Sequence, residues 1–107
     1  MQTVPIKLVT IVAENILADR LVRDILAAGA TGYTITAANG AGSRDLRAST
    51  LGGENVRIET LVVPRIAEVL LEQLAKDWFP DYAVIAWVTT VDVIRGQKYA
   101  AGPSPGP

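Results

Sequence analysis

The sequence predicts an α+β domain with a ferredoxin-like arrangement, in which six elements follow the order β-α-β-β-α-β and the sheet has four antiparallel strands. Two observations support this prediction. Four segments are β-branched or alternate between apolar and polar residues, and two segments between them carry apolar residues at helical spacing. A chain of 107 residues has the size of one domain. We expect residues 1–99 to form it, and residues 100–107, rich in glycine and proline, to form a flexible tail.

The first half of the chain contains two predicted strands and one helix. The first strand is predicted at Ile6–Ala13, where IKLVTIVA is rich in β-branched residues. Residues 14–29, ENILADRLVRDILAAG, are predicted as a helix that ends at Gly29. Its inward positions are Leu17, Leu21, Ile25 and Ala28. The second strand is predicted at Tyr33–Ala38, YTITAA.

The second half repeats the pattern with a strand, a helix and a strand. Residues 55–63, NVRIETLVV, alternate Val56, Ile58, Thr60 and Val62 with charged residues, which predicts one buried face. Pro64 is suited to the first position of the second helix, predicted over residues 64–79. Its inward stripe is predicted to be Ile66, Val69, Leu70 and Leu74. Pro80 ends this helix, and Tyr82–Val93 is predicted as the last strand.

The first and the last predicted strands carry apolar residues on both faces, which predicts an oligomer. Right-handed crossovers place both helices on one face of the sheet and leave the other uncovered. Yet the first strand sets Leu8 and Val12 on the face opposite to that of Val9 and Ile11. Such a face would exceed the apolar patch that soluble monomers usually expose. The alternative is that small aliphatic residues such as Ala86 are tolerated in water.

Composition excludes several classes of function. The chain has no cysteine and no histidine, so it cannot form disulfides, thiolate metal sites or a Ser-His-Asp triad. Its net charge of -1 argues against general nucleic-acid binding, which needs a basic excess. No apolar run is long enough to cross a bilayer, and no charged-then-apolar leader opens the chain, so we expect a cytoplasmic protein. We expect neither an enzyme nor a cofactor or metal site.

The segment between the second and third strands is unusually long for a hairpin connection. Residues 39–55 read NGAGSRDLRASTLGGEN. The glycines free the backbone to form an anion-binding concavity, and Ser43, Arg44 and Arg47 add donors suited to phosphate or carboxylate. The segment matches neither a Walker loop nor a dinucleotide fingerprint. It is therefore either a solvated connection or a loop that orders only when an anion binds.

Two stretches carry a resemblance to a known family. GATGYTITAANGAGSRDLR follows the first helix, and KDWFPDYAVIAWVTTVDVIRG lies near the end. Together they resemble the PII-like signalling proteins over about residues 6 to 99, and most closely the branch associated with bicarbonate transport and carboxysomes. The resemblance implies a homotrimer with adenine-nucleotide sites in the clefts between subunits. It also implies that residues 40–54 form the T-loop, which changes conformation with ligand and contacts a protein partner.

The resemblance also implies which residues bind ligand. Gly32, Tyr33 and Thr34 would line the cleft. Asp81, Tyr82, Ala83 and Val84 would form the wall known as the B-loop. From the T-loop, Gly42 and Ser43 would join Arg44 and Arg47 in holding the nucleotide, and Ser43, Arg44 and Arg47 would hold phosphate or bicarbonate. Arg95 and Lys98 are further candidates from the C-terminal segment.

Departures from the family pattern narrow the expected function. The tail AAGPSPGP lacks the cysteine pair that gives some relatives a redox-sensitive loop. The T-loop tyrosine and the GDGK B-loop of classical PII proteins are missing, which argues against uridylylation and 2-oxoglutarate sensing. Compared with classical PII proteins, this chain has fewer basic residues around the expected cleft, which favours AMP or ADP over ATP with magnesium. We expect a regulator that reports energy and bicarbonate status to a bicarbonate transporter or a carboxysome component, and that associates with the membrane or the carboxysome through this partner.

Two other functions stay open at this point. One is a slow nucleotide phosphohydrolase that uses a carboxylate-held metal. The other is a copper-tolerance-type trimer of the same fold, used as a metal binder or scaffold. We interpret Trp78 and Phe79, at the end of the second helix, as core residues, with stacking on an adenine ring as the alternative. Glu59 is interpreted as a strand or subunit contact that could reach a neighbour's ligand.

Overall fold

The fold is a four-stranded antiparallel sheet with two helices, as predicted. The computed structural model describes residues 2–39 and 54–95. The strands are β1 (Thr3–Glu14), β2 (Thr34–Ala38), β3 (Asn55–Val62) and β4 (Ile85–Ile94), and the helices are α1 (Ala18–Ala28) and α2 (Pro64–Asp77). A short 3-10 turn, Asn15–Leu17, precedes α1. The strand order is β2-β3-β1-β4, and all three neighbouring pairs are antiparallel.

The core lies between one face of the sheet and the two helices. On β3 the alternation predicted from the sequence is confirmed, because Val56, Ile58, Thr60 and Val62 are all buried. In the register Ile11 of β1 pairs with Ile58 of β3 and Ala86 of β4, so these three residues share a face. The helices contribute Leu21, Ile25, Leu70 and Leu74, which are fully buried.

The first helix begins later than predicted. Residues 14–29 were expected to be helical, but β1 continues to Glu14, which pairs with Asn55. The Asn15 amide then donates to the Glu54 carbonyl at 2.8 Å, so the chain is still attached to the start of β3. Helical hydrogen bonding starts only at Ala18. The predicted end is confirmed: Gly29 has a φ of 118°, a left-handed conformation that glycine adopts without steric strain.

Two strand boundaries also differ from the prediction. β1 begins at Thr3 rather than Ile6, because residues 3–6 pair with β4 alone and Pro5 is tolerated where a strand has one neighbour. β4 begins at Ile85 rather than Tyr82. The Val84 amide donates to the Tyr82 carbonyl at 2.9 Å, which closes a tight turn before the strand.

The inward stripe of α2 was predicted incorrectly at one position. Val69 is 50% exposed, whereas Ala67 is buried beside Ile66 and Leu70. Around the helix axis, position 67 lies nearer to Leu70 and Leu74 than position 69 does, so the alanine faces the core although the valine is more hydrophobic. The interpretation of Trp78 as a core residue is confirmed by its 3% exposure, but Phe79 next to it is exposed.

Apolar residues are exposed at both edges of the sheet. In the edge strand β4, Ile85 is 59% and Trp87 44% exposed, and Val88 and Ile94 are exposed as well. At the opposite edge the residues of β2 from Thr34 to Ala37 are all exposed. Residues on both faces of β4 are therefore incompletely covered within the described part of one chain. Neither helix in the described ranges is long and apolar enough to span a bilayer.

Candidate functional site

A cleft opens where β2 begins and runs onto the helix-free face of the sheet. Its volume is about 520 Å³, within the range of about 300–1,000 Å³ usual for small-molecule sites. It is lined by Leu8, Gly32, Tyr33, Thr34, Glu59, Thr60 and Leu61. In the register Leu8 pairs with Leu61, and Thr34 pairs with Glu59. Three strands therefore contribute neighbouring residues to one concave surface.

Thr60 fixes the position of the segment that leads into β2. Its side chain is buried, and its hydroxyl donates to the Gly32 carbonyl at 2.6 Å. This bond joins β3 to the chain just before the first paired residue of β2, Thr34. A Cβ built on Gly32 would meet no atom within 4 Å, so this residue faces open space. The backbone at Gly32 is thus held in place while its surface stays accessible.

Glu59 is the charged residue among the seven that line the cleft. Thr10, buried at 1% exposure on the neighbouring strand, donates its hydroxyl to Glu59 Oε2 at 2.9 Å. The two residues pair directly across β1 and β3. The hydrogen bond orients the carboxylate and occupies one of its oxygens. An ionised carboxylate accepts hydrogen bonds and donates none. Glu59 therefore suits a ligand that presents an amino or hydroxyl donor.

The chemistry of the cleft suits an uncharged, partly apolar group. Leu8 and Leu61 supply apolar surface, the Tyr33 ring is half exposed beside them, and Glu59 adds a negative charge. A phosphate placed next to Glu59 would be repelled, so an anionic part of any ligand must lie elsewhere. In the described ranges no three carboxylates come together as metal ligands.

The residues Asp81, Tyr82, Ala83 and Val84 lie on the turn between α2 and β4. The Trp78 carbonyl accepts hydrogen bonds from the amides of Asp81, at 3.2 Å, and Tyr82, at 2.9 Å. Val84 is buried, whereas Asp81 and Ala83 are exposed. Across residues 2–39 and 54–95 the Ala83 amide donates to no backbone carbonyl. The turn is therefore fixed by hydrogen bonds within it, and Asp81 and Ala83 are exposed on its surface.

One chain does not bring this turn to the cleft. Gly32, Tyr33 and Thr34 lie at the β2 edge of the sheet, and the turn leads into β4 at the opposite edge. Three strand spacings of about 4.8 Å, roughly 14 Å in total, separate the two edges. Arg95 directly follows the last residue of β4, at the end of the strand away from the turn, and adopts a φ of 67° that is uncommon for a residue other than glycine.

The remaining predicted site residues lie outside the described part of the chain. They are Gly42, Ser43, Arg44 and Arg47, within residues 40–53, and Lys98, beyond residue 95. The two strands on either side of residues 40–53 are paired up to Ala38 and Asn55. The predicted roles of these five residues therefore stay predictions.

Sequence reasoning missed three residues of the cleft: Leu8, Thr60 and Leu61. Leu8 and Leu61 looked like ordinary strand residues, because an apolar side chain in a strand predicts burial and not a role in a site. Thr60 was interpreted as part of a buried alternation. The available signal was a polar residue on an otherwise aliphatic face, since a buried hydroxyl requires a hydrogen-bond partner.

The structure defines a small α+β domain with a cleft at one edge of its sheet, and the family assignment follows from comparison with known proteins. The family model of the nitrogen regulatory protein P-II matches residues 6–98. The chain therefore belongs to the P-II family.

Solved structures agree with this assignment. A protein of Thermus thermophilus described as PII-like and signalling is 52% identical, with a TM-score of 0.81, and the match covers 92% of this chain and 99% of that one. CPII of Thiomonas intermedia, solved with ADP, AMP and acetate, is 23% identical, with a TM-score of 0.81 and coverage of 92% and 98%. CPII solved with ADP, AMP and bicarbonate has a TM-score of 0.77 at 23% identity, with coverage of 88% and 98%. At such identity CPII supports the fold alone.

Proposed function

We propose that this P-II family protein is a homotrimeric regulator that binds AMP or ADP in clefts between neighbouring subunits. In this proposal it also senses bicarbonate and acts in the cytoplasm. The nucleotide state is transmitted through residues 40–54 to a protein partner, either a bicarbonate transporter or a carboxysome component. The protein acts by changing the surface that it presents to its partner, not by catalysis.

The observation that carries the proposal is the position of the two predicted half-sites at opposite edges of the sheet. Gly32–Thr34 lie at the β2 edge, and Asp81–Val84 lead into β4. Both edges expose surface that a neighbouring chain would cover, with Ile85 and Trp87 at the β4 edge. An arrangement in which the turn of one subunit meets the cleft of the next would complete the site and bury these residues. Such head-to-tail contacts form a closed ring when the rotation from one subunit to the next closes.

The cleft supports a position for the nucleoside end of the ligand. Leu8 and Leu61 offer apolar surface to a planar base, and Glu59 offers an acceptor for an exocyclic amino group such as that of adenine. Because Thr10 already holds Glu59 Oε2, the carboxylate is oriented before ligand arrives. A carboxylate at this end also requires the phosphates to point away from the cleft.

The phosphates, and bicarbonate, would be held by residues 40–54. Ser43, Arg44 and Arg47 supply a hydroxyl and two guanidinium groups, which match the oxygens of phosphate and bicarbonate. Charge-assisted hydrogen bonds contribute about 1.5–3 kcal/mol each, against about 1–2 kcal/mol to fix each backbone residue. A few such contacts order the base of the segment and leave the remainder dependent on a second ligand or a partner.

One line of support comes from a relative, and another comes from the sequence. CPII has been solved with ADP, AMP and bicarbonate, which makes this set of ligands the first to test here. The assignment to the bicarbonate-transport and carboxysome branch rests on the resemblance carried by GATGYTITAANGAGSRDLR and KDWFPDYAVIAWVTTVDVIRG.

Calorimetric titration with AMP, ADP, ATP, cyclic AMP and adenosine, each with and without bicarbonate, tests the proposal. We expect AMP and ADP to bind more tightly than ATP and adenosine, and bicarbonate to change the affinity for at least one nucleotide. Equal, weak heats for all five compounds would overturn the proposed function. If bicarbonate left every nucleotide affinity unchanged, bicarbonate sensing would be removed from the proposed function.

A further inference from the structure

The turn before β4 is attached to α1 by two aromatic side chains. Trp78 follows the last residue of α2, and its ring is buried against α1. The indole Nε1–H donates to Asp24 Oδ2 at 2.8 Å. Asp24 is half-buried on α1. This hydrogen bond therefore joins α1 to a residue that is 54 positions away in the sequence.

A second contact comes from Arg20, one helical turn before Asp24. Its guanidinium carbon lies 4.8 Å from the centre of the Trp78 ring and 5.5 Å from that of Tyr82. Arg20 Nη1 also donates a long hydrogen bond of 3.4 Å to the Tyr82 hydroxyl. Residues four positions apart share a helix face, so Arg20 and Asp24 act on the same pair of rings. We refer to Arg20, Asp24, Trp78 and Tyr82 as the aromatic bracket.

The bracket fixes the backbone that lies between its two rings. The rings are 5.0 Å apart with an interplanar angle of 48°. The carbonyl of Trp78 accepts the amides of Asp81 and Tyr82, and the carbonyl of Tyr82 accepts the amide of Val84. Holding Trp78 and Tyr82 by their side chains therefore helps to determine where the backbone of residues 81–83 lies.

We propose that Arg20 and Asp24 are positioning residues, which hold the turn of residues 78–84 in its ligand-binding shape before nucleotide arrives. This inference rests on the proposed function, in which Asp81–Val84 form one wall of the nucleotide site. A turn that is already ordered loses less conformational freedom when ligand binds, and this raises affinity without any direct contact. Arg20 and Asp24 themselves touch no ligand in this account.

Four variants separate positioning from simple packing. Asp24→Leu removes the acceptor of the indole N–H, whereas Asp24→Asn keeps a carbonyl oxygen that can accept it. Arg20→Met keeps an unbranched apolar stem over the rings and removes the cation. Since Arg20 is exposed, we expect Arg20→Met to fold even if Asp24→Leu does not. Arg23→Met is the matched control, because Arg23 is an exposed arginine of the same helix outside the bracket.

The experiment combines amide hydrogen exchange of the ligand-free protein with calorimetric titration of ADP. In Asp24→Leu and Arg20→Met we expect the amides of Asp81, Tyr82 and Val84 to exchange about tenfold faster, while those of Ile11 and Ile58 in the core are unchanged. The affinity for ADP should fall about tenfold in the same two variants. Asp24→Asn and Arg23→Met should match the wild type in both measurements.

Two results would overturn the inference. One is wild-type ADP affinity in both Asp24→Leu and Arg20→Met. The other is weaker binding without any change in the exchange of residues 81–84, which would mean that these side chains act elsewhere. A wild-type protein that binds no adenine nucleotide would instead refute the proposed function, and the exchange rates in the ligand-free variants would still decide whether the bracket holds the turn.

Discussion

At Gly32, the requirement of the fold for glycine can be separated from the requirement of a ligand in the cleft. Its φ lies outside the left-handed region, and a Cβ would meet nothing within 4 Å. Glycine is therefore not required here by the fold of one chain. We infer that the open space is needed by whatever enters the cleft, whether a ligand or a neighbouring subunit.

Gly32→Ala should therefore leave the chain folded and impair binding. We expect the free energy of unfolding to rise by up to about 0.4–1 kcal/mol, because alanine restricts the unfolded chain. ADP binding should weaken by about 1–3 kcal/mol, the usual effect of an added methyl group in a packed site. Urea unfolding and calorimetry measure the two quantities.

Gly29→Ala is the control for this prediction. Gly29 has a φ of 118°, where a Cβ costs roughly 1–2 kcal/mol, so this variant should lose stability and keep its ADP affinity. If Gly32→Ala bound ADP as tightly as the wild type, the cleft beside Gly32 would not be the ligand site.

Arg47 is proposed to carry most of the phosphate recognition together with Ser43. Replacing it with alanine should weaken AMP or ADP binding by about 1.5–3 kcal/mol, the contribution of a hydrogen bond to a charged group. Arg23→Ala, an exposed arginine of α1, should leave affinity unchanged. Equal calorimetric affinities for Arg47→Ala and Arg23→Ala would discard the assignment. Adenosine, which has no phosphate, should bind both variants alike.

At the scale of elements, β2 depends on a few contacts with β3. It pairs with β3 over five residues, and its leading segment is held by the hydrogen bond from Thr60 to the Gly32 carbonyl. Its outer side has no neighbouring strand among the described residues of one chain. The segment that leads into β2 is therefore held by one buried hydroxyl in addition to the strand pairing.

Thr60→Val tests this dependence. Valine has the shape of threonine without the hydroxyl, so we expect the free energy of unfolding to fall by about 0.5–1.5 kcal/mol. Thr60→Ser keeps the donor and should retain the bond, although it loses a methyl group. Amide exchange at Tyr33 and Thr34 should accelerate in the valine variant and not in the serine variant. Identical exchange in the two variants would show that the hydroxyl does not hold β2.

The elements could largely be predicted from the sequence because each carried a local signal. The alternation on β3, proline at the start of α2 and glycine at the end of α1 are short-range patterns, and the structure bears them out. The start of α1 could not be predicted in this way. It depends on the pairing of Glu14 with Asn55, which is a contact between residues distant in sequence.

The candidate site was less accessible to sequence reasoning. Gly32, Tyr33 and Thr34 were found through a family motif, and the structure brings them together at one cleft. Leu8 and Leu61 join them only through the register of three strands, which no local pattern encodes. The hydrogen bond from Thr10 to Glu59 depends on the same register.

At the scale of the whole molecule, the exposed apolar edge is the feature that one chain does not explain. Ile85, Trp87, Val88 and Ile94 lie along β4, the strand that pairs on one side only within the described ranges. Exposed edge strands of this kind invite pairing or packing with another chain. We attribute their exposure to the proposed subunit contacts.

Trp87→Lys should therefore disrupt assembly. A buried, unpaired charge at a subunit contact opposes association, so we expect sedimentation to shift towards single chains and ADP binding to weaken in parallel. Val69→Lys is the control, because Val69 is exposed to a similar degree on α2 and should not affect either measurement. If Trp87→Lys sedimented like the wild type, the β4 edge would not form the contact.

The central claim is that adenine nucleotides bind where neighbouring copies of this chain meet. Native mass spectrometry of the full chain with ADP tests it directly, because one spectrum counts both chains and nucleotides. The account predicts a particle of three chains that carries up to three molecules of ADP. Single chains that carry ADP would contradict the shared site, and three chains without any nucleotide would contradict the ligand.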